Sequence, residues 1–220
     1  MDFTPIWISL KVAITATLFT LIIGILLARL LNKRDFRGKD LLETLITLPM
    51  VLPPSVLGYG LLILIGKRGM IGKALYNSFG ISLIFTWVAA CIAAAVVSLP
   101  LMYQSCKAAF LNVDHVYENA GRTLGADEKR VFWRITLPLA WPGIISGVIL
   151  AFARALGEFG ATMMVAGNIP GKTETIPLAI YYAVEGGNLT KANTLMAIVL
   201  VFSFTLIYGM NRWLKKKNYK

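Results

Sequence analysis

Arg154 and Glu158 stand four residues apart in an otherwise apolar run. At that spacing two side chains share one face of a helix and can pair. Inside a membrane each charge costs at least ~2.5 kcal/mol on insertion scales, so both must face protein or water. Two readings stay open: a structural ion pair, or a gate on the path of an anion. A second candidate is "GNIPGKT", Gly167 to Thr173, which looks like a phosphate-binding loop. That loop needs four residues between its glycines, a strand before it and a helix after it. Here three residues intervene and an apolar span precedes, so nucleotide binding is not expected in this chain. The single histidine, His115, and the two cysteines, Cys91 and Cys106, have no metal-ligand spacing. No paired acids, catalytic constellation or metal site is expected, and the chain does not read as an enzyme.

The elements that must position Arg154 and Glu158 are membrane spans. The chain has 220 residues, of which 57% are hydrophobic and 15% charged, against about 25% charged in soluble domains. Uncharged runs extend over 12–28, 44–66, 74–106, 135–153 and 192–211. Each is near the roughly 20 apolar helical residues that cross a bilayer. The expectation is an all-α polytopic membrane protein with about five spans, near 7–30, 42–65, 81–105, 138–165 and 194–214. Six is the alternative count. "MDFTPIWISLK" has Asp2 and no basic residue before Lys11, so a cleaved signal peptide is not expected. Lys11 is expected to snorkel to the outer interface.

Net charge is +11, and 15 of the 22 basic residues fall in 29–40, 107–134 and the tail. Basic loops stay on the cytoplasmic side. This predicts an N-terminus outside and a C-terminus in the cytoplasm. Lys67, Arg68 and Lys73 then lie outside, against that bias, where they would contact a partner or draw anions to an entrance. In the second span Pro49, Pro53 and Pro54 interrupt backbone hydrogen bonding. They mark either a simple kink or a discontinuous helix lining a path.

One stretch between the spans is polar, "YENAGRTLGADEKRVFWRITLPL", residues 117–139. Asp114 can cap a helix from about His115, Gly125 can end it, and Asp127 can cap a second short helix. Tyr117, Leu124, Phe132 and Trp133 beside many charges suit docking into a groove on a soluble partner. A merely solvated loop is the alternative. A DNA-binding reading fails because both ends are tethered to spans and the acids would repel phosphate.

These residues resemble the Glu-Ala-Ala motif of binding-protein-dependent ABC importer permeases: Glu-Ala-Ala, three residues, Gly, nine residues, Ile-x-Leu-Pro. Anchored on Gly125, the second half matches at Ile135, Leu137 and Pro138. The first half falls on Asn119, Ala120 and Gly121, with Glu118 one position early and only Ala120 identical. "LPMVLPPSVLGYGLL", "GKRGMIGK" and "AFARALGEFGATMMVAGNIPGKTETIP" resemble the molybdate branch, and sulfate permeases share the "ALGEFGA"-like stretch. The resemblance implies a type I importer permease fold, one transmembrane domain over 1–220, and a cytoplasmic coupling module at about 107–137. It implies a homodimer, two cytoplasmic ATPase subunits that use ATP and Mg, and a soluble oxyanion-binding protein. The expected cargo is molybdate, with tungstate or sulfate as alternatives. No cofactor is expected in this chain, and no nucleic acid partner. A secondary transporter or channel without an ATPase is the rival class.

Overall fold

The structure, a computed structural model, describes residues 3–33 and 36–218. Asp2, Arg34, Asp35 and Lys220, which entered the charge argument, lie outside them. Every regular element among the described residues is helical. In chain order these are α1 (Thr4–Lys33), α2 (Lys39–Thr47), a 3-10 turn at Leu48–Met50, α3 (Pro54–Ile65) and α4 (Met70–Phe79). Then come α5 (Trp87–Leu111), α6 (His115–Thr123), α7 (Glu128–Val131), a π turn at Phe132–Thr136 and α8 (Leu137–Leu156). The chain ends in α9 (Gly160–Ala166), α10 (Ile176–Glu185) and α11 (Leu189–Asn218).

Five stretches are long and apolar enough to cross a membrane: Thr4–Asn32, Pro54–Phe79, Trp87–Leu111, Glu128–Leu156 and Leu189–Met210. Three differ from the sequence expectation. The second was placed at 42–65, but residues 42–47 belong to α2, an amphipathic helix with no buried residue. Proline at 49, 53 and 54 separates α2 from α3, and the apolar stretch begins only at Pro54. The third was placed at 81–105 but runs Trp87–Leu111, since residues 81–86 form a non-helical approach to the Thr86 cap. The fourth was placed at 138–165 as one helix. It stops at Leu156, turns through Gly157–Phe159 and restarts as α9.

The core is built by close backbone approach. Ala89, Ala90, Ala93 and Ala94 on α5 are fully buried, packed with Val12, Ala13 and Ala16 of α1. Between lipid-facing helices, where tails are as apolar as leucine, contact comes from small residues that let backbones meet. A second cluster joins Ala28 and Leu31 of α1, Met102, Tyr103 and Cys106 of α5, and Ala140 and Ile144 of α8. Cys91 and Cys106 are both free and buried. At the start of α5 the Lys11 ammonium sits 3.7 Å from the Trp87 ring centre, a cation–π contact that occupies the charge within a span.

Candidate functional site

The polar stretch folds as a bolted corner between α5 and α8. The Asp114 carboxylate accepts from the Val116 amide at 2.9 Å and starts α6. Gly125 has φ of +82°, the left-handed conformation that ends a helix without a Cβ penalty. Asp127 then accepts from the Arg130 amide at 2.9 Å and starts α7. These are the three local signals the sequence carries, each where the helix-glycine-helix reading needs it.

Glu118 does something the sequence did not reveal. It is half-buried and turned inward, where its Oε1 accepts the Thr136 hydroxyl at the foot of α8. Its other oxygen faces Arg122 Nη2 at 3.4 Å and His115 Nδ1 at 3.6 Å. Burial alone would raise the Glu118 carboxyl. The Thr136, His115 and Arg122 contacts outweigh it and hold the pKa below the ordinary carboxylate value. Arg122 extends the network, donating to Glu128 Oε1 at 2.6 Å and to Asn119 Oδ1 at 2.8 Å.

Gly121 and Ile135 meet beside this tie. A Cβ on Gly121 would lie 2.5 Å from Ile135 Cδ1. The structure therefore brings Glu118, Gly121, Ile135 and Thr136 together as one joint. Asn119 and Ala120 face out, and Leu137 and Pro138 form the first turn of α8. On the outer side of the corner Leu124 is 88% exposed, with Tyr117, Val116 and Trp133 also exposed. Thr136 and Arg122 are the participants that sequence reasoning missed. Thr136 occupies the unspecified position between Ile135 and Leu137, so only the fold could single it out.

Arg154 and Glu158 pair, with Arg154 Nη1 2.9 Å from Glu158 Oε2. They do not do so along one continuous helix, as the spacing suggested. Glu158 lies beyond the end of α8 and its Oε1 accepts the Ala161 amide at 2.8 Å, capping the first turn of α9. The carboxylate thus holds both sides of the break. Its side chain is 2% exposed against 36% for Arg154.

The break in the fourth span meets the break in the second. A Cβ on Gly160, at the start of α9, would lie 2.6 Å from Pro54 Cβ at the start of α3. A Cβ on Gly58 of α3 would lie 2.8 Å from Met164 Sδ and 3.1 Å from Ala161 Cα. Two interrupted helices abut at their interruptions, the arrangement that carries sites in many transporters. Pro53 and Pro54 belong to this junction, while Pro49 lies in the preceding 3-10 turn.

A profile for the "binding-protein-dependent transport system inner membrane component" family matches residues 20–218. The chain belongs to this family. Within it, the molybdenum transport system permease protein ModB of Escherichia coli (strain K12) is 46% identical over 98% of this chain and 94% of its own length. The sulfate transport system permease protein CysT of Salmonella typhimurium is 34% identical over 93% of this chain and 73% of its own length. Among solved structures, a bacterial alginate ABC transporter in complex with an alginate-bound periplasmic protein superposes with a TM-score of 0.76 at 17% identity. It covers 96% of this chain and 77% of that one. The fold is that of a type I ABC importer permease.

A family member of this kind is a membrane component and not itself catalytic. The phosphate-loop look-alike has the wrong surroundings: it follows the short helix α9 and not a strand, and its hydroxyl is used internally. Thr173 Oγ1 accepts the Ile169 amide at 3.0 Å and donates to the Gly167 carbonyl at 3.1 Å. The following α10 is anchored to α1, with the Ile176 amide donating to Ser9 Oγ at 2.7 Å.

Proposed function

We propose that this chain is the membrane-spanning subunit of an ATP-driven importer that receives an oxyanion, molybdate, from a soluble binding protein. The observation that carries the reading is the bolted corner, an exposed apolar tip at Leu124 tied rigidly to the foot of α8 through Glu118 and Thr136. A tip that only met water would not expose Leu124, Tyr117 and Trp133 on one module held by internal charges. A groove on a cytoplasmic ATPase fits it. The higher identity to a molybdenum permease than to a sulfate permease supports molybdate over sulfate.

In this account residues 1–220 act as one transmembrane domain, with the module at about 107–137 on the cytoplasmic side. Two copies form the pathway, two ATPase subunits bind below, and the binding protein docks above. ATP and Mg are used by the partner and no covalent chemistry happens in this chain. The N-terminus is outside and the C-terminus inside the inner membrane. ATP-driven movement of the tip is passed by the Glu118–Thr136 and Gly121–Ile135 contacts to α8. The far end of α8 is the junction where Arg154, Glu158, Gly160 and Pro54 meet, so the same movement reaches the paired helix breaks. The Arg154–Glu158 pair stabilises that junction and is not a high-affinity anion site, since a tightly held oxyanion would not leave.

Cross-linking tests the docking. A Leu124→Cys variant co-expressed with the neighbouring ATPase, also carrying single cysteines in its cleft, should form a disulfide that blocks uptake and is relieved by reductant. Efficient cross-linking of Leu124→Cys only to the binding protein, with no ATPase adduct, would overturn the assignment.

A further inference from the structure

Helix α4 is an element that the coupling account leaves without a role. Its entry turn is closed by glycine: a Cβ on Gly72 would come within 2.1 Å of the Gly66 carbonyl oxygen, and one on Gly69 within 2.1 Å of that of Ile63. No other residue fits so near a backbone carbonyl, so the turn is fixed against the end of α3. It presents Lys67 and Arg68, both exposed, and α4 adds exposed Lys73. No acidic residue occurs between Glu43 and Asp114. The Lys67 ammonium lies 5.5 Å from the Tyr76 ring centre.

The helix is two-faced. Ile71, Leu75 and Phe79 recur every four residues along one side, with Ile71 46% and Phe79 71% exposed. Lys73, Tyr76 and Asn77 occupy the other. A short helix with an apolar strip and cations on its polar face lies in the plane of a membrane interface. Position agrees. The turn Gly66–Gly69 divides the apolar stretch Pro54–Phe79, so α4 need not continue across the bilayer in the direction of α3. The strip belongs to the apolar stretch Pro54–Phe79, and Ile71 and Phe79 leave it exposed.

We propose that α4 and its glycine turn form an interfacial foot that binds anionic phospholipid. Ile71, Leu75 and Phe79 enter the acyl boundary while Lys67, Arg68 and Lys73 meet headgroup phosphates. A soluble partner that met only the cations would leave the exposed apolar strip unused, whereas a phospholipid surface takes up both. The cations supply attraction that a neutral headgroup lacks, and each one near an anionic surface adds a comparable increment. The proposal is independent of the cargo and of the ATPase.

The test uses the transporter complex in nanodiscs holding equal phosphatidylglycerol and phosphatidylcholine, with retained lipid counted by native mass spectrometry. Wild type should retain phosphatidylglycerol in preference. Lys67→Gln/Arg68→Gln/Lys73→Gln should lower that preference by about threefold or more, and Lys67→Arg/Lys73→Arg should keep it. Hydrogen exchange of α4 amides in wild type alone should be slower in phosphatidylglycerol discs than in phosphatidylcholine discs, a readout that needs no variant to fold. Equal exchange in the two discs overturns the proposal. So does phosphatidylglycerol retention that survives the triple change while binding-protein docking falls, which would assign the surface to that protein. Displacement of the lipid preference by inorganic phosphate would identify a free-anion site instead.

Discussion

Glu118 on α6 accepts a hydrogen bond from the Thr136 hydroxyl, eighteen residues further along the chain at the foot of α8. The pair makes a short polar helix part of a membrane span. A hydrogen bond to a charged group is worth about 1.5–3 kcal/mol net. Thr136→Val should therefore loosen the corner and cut ATP-driven uptake by about tenfold, while the subunit still inserts and still binds the ATPase. Vesicle uptake set against ATPase turnover checks this: turnover should persist while uptake falls. Glu118→Lys should be more severe, because it removes the tie and places a cation beside Arg122, rather than by repelling the partner.

The same carboxylate gives a pH dependence. Its folded pKa lies below the ordinary value of 4.5. A depressed carboxylate stabilises the fold above the unfolded pKa and loses that contribution as pH falls through the folded one. Protection of α6 amides against hydrogen exchange should be level from neutral pH down to about 4.5 and decline only below it. Loss of protection already near pH 6 would mean that the tie is not made by an ionised Glu118.

Gly121 predicts a graded series. A methyl group there crowds the mobile end of Ile135 and meets Val131 at ordinary contact distance, so Gly121→Ala should be close to wild type after a small shift. Gly121→Phe should abolish coupling, because overpacking of this size costs about 1–3 kcal/mol or more and would push α6 off α8. Ile135→Ala combined with Gly121→Phe should recover part of the uptake. No recovery in the double variant would show that Gly121 acts through some other contact.

Arg154 and Glu158 should respond unequally. Arg154→Gln leaves a carboxylate that is 2% exposed with the Ala161 amide as its remaining partner. Breaking a buried pair in this way costs about 3–5 kcal/mol. Glu158→Gln should be milder, since the amide oxygen can still cap α9 and Arg154 is far less buried than Glu158. The double Arg154→Gln/Glu158→Gln variant should recover assembly relative to Arg154→Gln, measured by size-exclusion yield and thermal melting in detergent. A double variant that assembles normally yet stays inactive would give the pair a direct role on the ion or gate.

What was legible in the sequence follows from the range of each interaction. Asp114, Gly125 and Asp127 act on residues within a few positions, so capping rules locate them without the fold. Apolar runs locate the five spans for the same reason. The inward turn of Glu118 depends on α8 packing across α6, and nothing at position 118 alone distinguishes a docking charge from a buried tie. The proline cluster at 49–54 was readable as a local interruption, whereas the Gly157–Phe159 break was read through as one span over 138–165. That they abut at Pro54 and Gly160 is a tertiary fact. The second span was misplaced because α2 is apolar enough to extend a hydropathy run while its exposed amphipathic geometry belongs to a separate helix.

The most direct test of the account is molybdate uptake by proteoliposomes containing this chain, its neighbouring ATPase and the soluble binding protein, followed by elemental mass spectrometry. Accumulation should require all three proteins and ATP, should prefer molybdate to sulfate, and should fall in Thr136→Val without loss of ATP hydrolysis. Accumulation that proceeds without the ATPase, or without ATP, would contradict it.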